Sequence, residues 1–392
     1  MAGLSKDETG PPGPELKWVH GEAALAALRA EWLSLETRAP RPYFYQSFSW
    51  FWARIQCERP AFRRTVRCIT AWDRGSLVAV WPFVIENRFG CRIARRLGCG
   101  SDVDYCPPLI DRGADAAQLS ALLYGEVRRV ADILLITVIK ADDPLFNLLE
   151  PLPPSEAGRW SSDVIILEMK KAASWEEFEK GLSAKLVKSI RYEKKRLAGS
   201  FGEFSVRQAE TDEELRSGLE FFLTKVQRNK KKGKFDWFHR PEARCFLEKV
   251  LTTGSGPGLK LLTAWAGEHR LATALFAVER DRGAFFETTY NEAFASHSPG
   301  KLLLEGCLKW AIERGLTIDF GPMAFPYKER WGGDELVACR SYTIVATPYG
   351  RAFEPVRFGL EFGMTRMRRA KAKVARYVGE RLLGRRKALA ES

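Results

Sequence analysis

Ile69–Glu86 reads ITAWDRGSLVAVWPFVIE, and Leu262–Glu279 reads LTAWAGEHRLATALFAVE. Aligned without gaps at an offset of 193, the two stretches share six identities in 18 positions, where ordinary composition gives roughly one. Trp72 and Trp265 coincide. Each stretch is an apolar run, a polar turn and a second apolar run, which predicts a β-hairpin. A hairpin that recurs half a chain later predicts two copies of one fold.

The flanks repeat in the same order. Ahead of the first hairpin, 22–37 and 48–56 have the apolar spacing of amphipathic helices. After it come a strand near 92–97, a loop, a helix over 116–131 and a strand over 134–138. Ahead of the second hairpin lie helical stretches at 175–182, 183–197, 212–229 and 241–252. A strand over 284–290, a loop to Pro299, a helix from Gly300 and a strand over 317–321 follow it. Pro151, Pro153 and Pro154 mark the joint. The expected class is α/β (α+β): two tandem domains, each a mixed, mostly antiparallel sheet flanked by helices. The expected bounds are 1–15 as a disordered start, 16–158, 159–347, and a basic amphipathic tail over 348–392.

Composition sets limits. The 392 residues are 45% hydrophobic and 28% charged, which suffices for two cores and excludes a fibrous or disordered chain. The net charge of +13 is uneven. Residues 351–392 carry 12 Lys/Arg against four Glu, or +8; the preceding 350 residues carry only +5. In the tail, Leu360, Met364, Met367, Val374, Val378 and Leu382 alternate with basic residues at mostly helical steps, a pattern suited to an anionic membrane surface. The four glycines of 359–384 suit an unstructured basic tail as well. No apolar run approaches a membrane span, and Met1–Pro14 lacks the apolar core of a signal peptide. The eight cysteines form no CxxC pair and the four histidines no ligand cluster, so no metal site is expected. The cysteines read as free thiols in a reducing, cytoplasmic setting.

In the second half, Ser298-Pro299-Gly300-Lys301 opens a helix directly after a strand and a loop. Ser298 is the expected N-cap and Pro299 suits the first turn. Free N–H groups beside Lys301 make a candidate phosphate site. Asp319 ends the last strand, and Tyr327, Lys328 and Trp331 follow; by local sequence alone Tyr327 reads as a packing residue and Lys328 as a surface one. Lys185, Lys188, Arg191, Lys194, Lys195 and Arg196 fall mainly at helical steps and read as one cationic helix face. Lys225 to Lys234 form a second cluster that runs into Trp237. A charge run is often only a solvated face; the sharper reading is a groove wall for an anionic acceptor or for CoA's phosphates, with aromatics to stack on a sugar or base, in which Lys188, Arg191 and Trp237 bind substrate.

Together these residues resemble a family. The basic helix LSAKLVKSIRYEKKRL, the second hairpin, Tyr290-Asn291 before Ser298-Pro299-Gly300, and Asp319 before Tyr327-Lys328 and Trp331 are similar to the GNAT acetyltransferase superfamily. They most resemble its CelD/BcsL-type members, associated with bacterial cellulose and exopolysaccharide synthesis. The first half resembles a degenerate copy, as in Fem-type aminoacyl transferases. The resemblance implies acetyl-CoA as co-substrate, held by Ser298, Pro299, Gly300 and Lys301. It implies acid and base roles among Tyr327, Asp319, Tyr290 and Glu287, acceptor contacts from Lys328 and Trp331, and a sugar or envelope-precursor acceptor. The superfamily's pyrophosphate loop, Gln/Arg-x-x-Gly-x-Gly/Ala, survives only in its final Gly300. Two alternatives stay open: a Fem-type transferase that uses aminoacyl-tRNA, and a catalytically silent scaffold docked on the inner membrane surface. Beyond that tRNA, no nucleic-acid motif is present.

Overall fold

The computed structural model describes residues 13–40, 42–98, 105, 107–168, 172–231, 237–322, 325–332 and 335–359. Among these, one continuous sheet runs β1-β2-β3-β4-β6-β13-β7-β12-β11-β10-β9-β8, with β5 beside β3. The first half supplies β1 (Glu15–His20), β2 (Val66–Asp73), β3 (Ser76–Arg88), β4 (Cys91–Arg96), β5 (Leu109–Ile110) and β6 (Ile133–Lys140). The second supplies β8 (Phe204–Gln208), β9 (Gly258–Ala266), β10 (His269–Glu279), β11 (Arg282–Tyr290) and β12 (Thr317–Pro322).

The repeated hairpin is present in both halves, down to an irregularity. In β2/β3, Asp73 faces Ser76, Trp72 faces Leu77 and Ala71 faces Ala79, so Val78 bulges. In β9/β10, Ala266 faces His269, Trp265 faces Arg270 and Ala264 faces Ala272, so Leu271 bulges. Adding 193 to every residue of the first set gives the second. A bulge re-aims a strand and tends to be retained with its fold, so the shared position is stronger evidence of a duplicated unit than the six identities.

Two strands absent from the sequence reading join the halves. β7 (Ala157–Glu168) and β13 (Glu335–Val345) pair antiparallel with each other at the sheet centre. β7, which follows the first half, then pairs with β12 of the second half. β13, which follows the second half, pairs with β6 of the first. Each half therefore completes its sheet with a strand from beyond the other.

Helices cover both faces. On one lie α5 (Ala116–Val130), α8 (Ala184–Ser200) and α11 (Pro299–Ile312). α8 is capped by Ser183, whose Oγ accepts from Leu186 N, and turns Leu186, Ile190 and Leu197 inward at helical spacing. α11 buries Leu302, Leu303, Leu304, Cys307 and Leu308, which packs it flat on the second half. On the opposite face, α2 (Arg29–Arg38), α3 (Phe48–Cys57), α9 (Asp212–Lys231) and α10 (Pro241–Val250) pack on a core rich in aromatic residues.

One cysteine expectation is corrected there. Cys57 of α3 and Cys245 of α10 are joined as a disulfide, with Cα atoms 5.6 Å apart. Cys68, Cys91 and Cys307 are free and buried, as expected, and Cys339 is buried; Cys99 and Cys106 lie outside the described residues. The disulfide ties the halves together on the face opposite α11.

Candidate functional site

β11 and β12 pair in parallel over three residues only, Arg282–Ala284 with Thr317–Asp319. Beyond that stem both strands are bulged. In β11, Leu275 faces Glu287 while Phe276 faces Phe285, leaving Phe286 as the extra residue. The Phe286 ring packs edge-on against Trp50 and Phe238, on the α3/α10 side. In β12 the register slips between Asp319 and Pro322, where Gly321 takes φ +73. A positive φ suits glycine and no bulky residue. Two bulges at one level bend neighbouring strands apart, so the sheet opens here as a wedge.

The wedge holds a cavity of about 370 Å³ on the α8/α11 face. Its floor is Phe285 and Phe320, whose rings stack at 5.4 Å. Leu186, Leu303 and Leu304 make the apolar wall; Thr288, Tyr290, Tyr327, Lys301, Arg330, Gly300 and Trp331 complete the lining. Five of the residues proposed from sequence thus meet around one space. Tyr290 and Tyr327 are about half exposed. Burial, then the nearby Glu287 carboxylate, raise the Tyr327 phenol above its ordinary pKa, so it stays protonated at neutral pH. Burial lowers the pKa of the Lys301 ammonium, which donates to Ser189 Oγ of α8 at 2.6 Å.

Some residues are placed otherwise than expected. Ser298 stands at the N-cap position, but in the left-handed region (φ 51°, ψ 50°) its hydroxyl makes no capping bond. Asn291, named in the sequence only as part of the Tyr290-Asn291 pair and given no role there, caps the turn that precedes α11 and accepts from Lys225 Nζ at 2.8 Å, tethering the loop to α9. Lys328 is buried; its Nζ donates to the carbonyls of Gly321 and Pro322 and fixes the end of β12 instead of facing an acceptor. Trp237 is core, 5% exposed, packed on Phe246 and covered by the Arg54 guanidinium at 4.5 Å. Lys188 and Arg191 line a separate groove of about 590 Å³ between α7 (Trp175–Lys180) and α8, where Arg191 pairs with Glu179. They point away from the wedge because Leu186 and Ile190 turn inward. Residues 232–236, part of the second basic cluster, lie outside the described residues.

Asp319 differs most. It is 1% exposed and faces the other side of the sheet from Phe320. Its carboxylate accepts from Tyr43 Oη (2.8 Å), Tyr105 Oη (2.6 Å) and Gly321 N (2.8 Å). Lys140 Nζ stands 3.8 Å from it and donates to Tyr43 Oη at 2.5 Å. Those donors occupy the carboxylate. Three of the four partners come from the first half, 276 and 214 residues away for the two tyrosines, a separation that hides them from local sequence reading.

Among the described residues no group of His, Cys, Asp or Glu is arranged to hold a metal ion, and no helix is long and apolar enough to cross a membrane.

Residues 184–329 match the family model described as "Acetyltransferase (GNAT) domain". That stretch is a GNAT acetyltransferase domain, and the protein is an enzyme of the transferase class. No curated protein matches the sequence. The fold is similar to the crystal structure of FemX (12% identity, 86% of this chain and 100% of that one, TM-score 0.56). It is also similar to the C-terminal DUF2156 domain of a putative lysylphosphatidylglycerol synthetase from Agrobacterium fabrum (10% identity, 85% and 95%, TM-score 0.51). A tandem GNAT protein from the clavulanic acid biosynthesis pathway matches at 13% identity, 85% and 99% coverage and a TM-score of 0.47.

Proposed function

We propose that the protein is an acyl-CoA-dependent N- or O-acetyltransferase that modifies a sugar or envelope-precursor amine or hydroxyl at the cytoplasmic face of the membrane. One observation carries the reading: β11 and β12 part above a three-residue stem and open an apolar cavity beside a helix start and two cations. Phe285, Phe320, Leu303 and Leu304 suit a thioester arm, while Gly300, Lys301 and Arg330 suit phosphates. A Cβ placed on Gly300 would meet nothing within 4 Å, so the backbone there is open to a ligand.

The strand edge freed beyond Ala284 provides backbone N–H groups that can polarise the thioester carbonyl. The acceptor nitrogen or oxygen forms the new bond to the carbonyl carbon, and Glu287 takes its proton. The carbon–sulfur bond breaks, and Tyr327 donates its proton to the departing thiolate. Proton return from Glu287 to the Tyr327 phenolate restores both side chains, giving acetylated acceptor and free CoA thiol. Tyr290, on the same cavity, is the alternative donor.

Tyr327→Phe and Glu287→Gln are each expected to slow single-turnover acetyl transfer at least about tenfold without loss of acetyl-CoA binding. Unchanged rates in both would remove this assignment.

Membrane contact belongs to the same reading. Phe89 at the β3–β4 turn is 80% exposed and Phe358 63%, and the chain continues from Phe358 into the basic stretch 360–392. Co-sedimentation with phosphatidylglycerol vesicles is expected, weakened by salt and absent with phosphatidylcholine alone; equal pelleting with both would contradict it.

A further inference from the structure

A second cavity, of about 320 Å³, opens on the other face of the sheet where the two halves meet. Tyr43, Tyr105, Lys140 and Arg282 form its polar floor, and Asp319 lies behind them. The Arg282 guanidinium sits over the Tyr43 ring at 4.3 Å and Lys140 Nζ over the same ring at 5.1 Å. Asp142 and Asp143 add carboxylates to the lining. Five prolines, Pro40, Pro42, Pro107, Pro108 and Pro144, supply much of the remaining wall.

Three features narrow the ligand. The charges nearly cancel, with Lys140 and Arg282 set against Asp319, Asp142 and Asp143, so an anion gains little here. Ammonium, guanidinium and carboxylate groups together match hydroxyls, which both donate and accept. Proline rings have fixed φ and cannot collapse into the space; with Tyr105 they offer flat apolar surfaces to the C–H face of a pyranose. The cavity also stands back to back with the wedge. Arg282 and Asp319 belong to the three-residue stem, and the next residue on β12, Phe320, is the floor of the acyl cavity.

We propose that this cavity is a recognition subsite for one neutral hexopyranose unit of the acceptor. Its role in the reaction rests on the sugar-acceptor reading above; the binding itself does not.

The test is calorimetric titration of the full chain, without acetyl-CoA, with cellobiose, N-acetylglucosamine and, as anionic comparator, inorganic phosphate. At least one neutral sugar is expected to bind with a Kd of about 10 mM or tighter. Ala116→Trp, which places an indole where Ala116 lines the cavity, and Asp142→Asn, which alters an exposed carboxylate, are each expected to weaken that binding about tenfold. Thermal midpoints of both variants separate loss of site from loss of fold. Failure of both sugars to bind, phosphate binding more tightly than either, or sugar binding that persists unchanged in both variants would overturn the proposal. Sugar binding in a protein that ignores acetyl-CoA would leave the subsite standing and remove the proposed function; acetyl-CoA binding without sugar binding would do the reverse.

Discussion

Asp319→Ala is expected to lower the free energy of unfolding by about 3–5 kcal/mol, the largest effect of any single substitution considered, because it strands a buried cation. Lys140, with 10% of its side chain exposed, loses the only anion within 4 Å that it faces among the described residues. The Tyr43 and Tyr105 hydroxyls, both buried, lose their acceptor, as does Gly321 N. A buried donor left without an acceptor costs about 1–3 kcal/mol, although the effects within one network do not add. Chemical denaturation reads the change as a lower midpoint at an unaltered slope. Asp319→Asn preserves the shape but turns an amide N–H toward one of the phenols, so its midpoint should fall between those of wild type and the alanine variant. A fall of less than about 1 kcal/mol for alanine would mean that the cluster does not hold the halves together.

Loss of the Cys57–Cys245 link is expected to cost about 2–4 kcal/mol. The bond spans 188 residues and joins α3 of the first half to α10 of the second. Its effect in the chain-entropy model is to restrict the unfolded chain, and for a loop of this length the model gives about 5 kcal/mol, of which proteins commonly realise less. Cys57→Ser and treatment of the wild type with dithiothreitol should lower the unfolding midpoint alike, and the reductant should do nothing further to the variant. Alkylation under native, non-reducing conditions should leave Cys57 and Cys245 unlabelled. If both label readily and dithiothreitol leaves the midpoint unchanged, the cross-link does not exist in solution.

Much of the fold was legible because it repeats. The Trp72/Trp265 hairpins, the helices that precede them and the strand, helix and strand that follow each have a local period or cap that a reader can see. β7 and β13 were not legible. A strand buried at the centre of a sheet advertises its partners only through non-local pairing, and the prolines of 151–154 drew attention to a joint just before β7 begins. At the site, Tyr290, Gly300, Lys301, Tyr327 and Trp331 were found together because a strand end, a helix start and the following loop lie close in sequence. Asp319, Lys328 and Trp237 have the same chemistry on paper but face elsewhere. Asp319 and Phe320 are neighbours on one strand and so point to opposite faces; Lys328 turns back onto carbonyls six and seven residues earlier; Trp237 belongs to an aromatic cluster drawn from both halves. The disulfide pairing and the Tyr43–Asp319–Tyr105 cluster depend on how the halves dock, which no local pattern reports.

The central claim is that the β11/β12 wedge receives an acyl-CoA. Isothermal titration of the full chain with acetyl-CoA tests it most directly. One binding site per chain is expected, with affinity in the micromolar to low-millimolar range. Leu303→Trp, which fills the apolar wall of the wedge, should abolish the heat while Ala116→Trp, at a position that lines the second cavity and not the wedge, retains it. Absence of binding across that range would contradict the claim, and gel retention of aminoacyl-tRNA by the same preparation would then assign the basic groove of Lys188 and Arg191, and the donor, to a tRNA-dependent transferase.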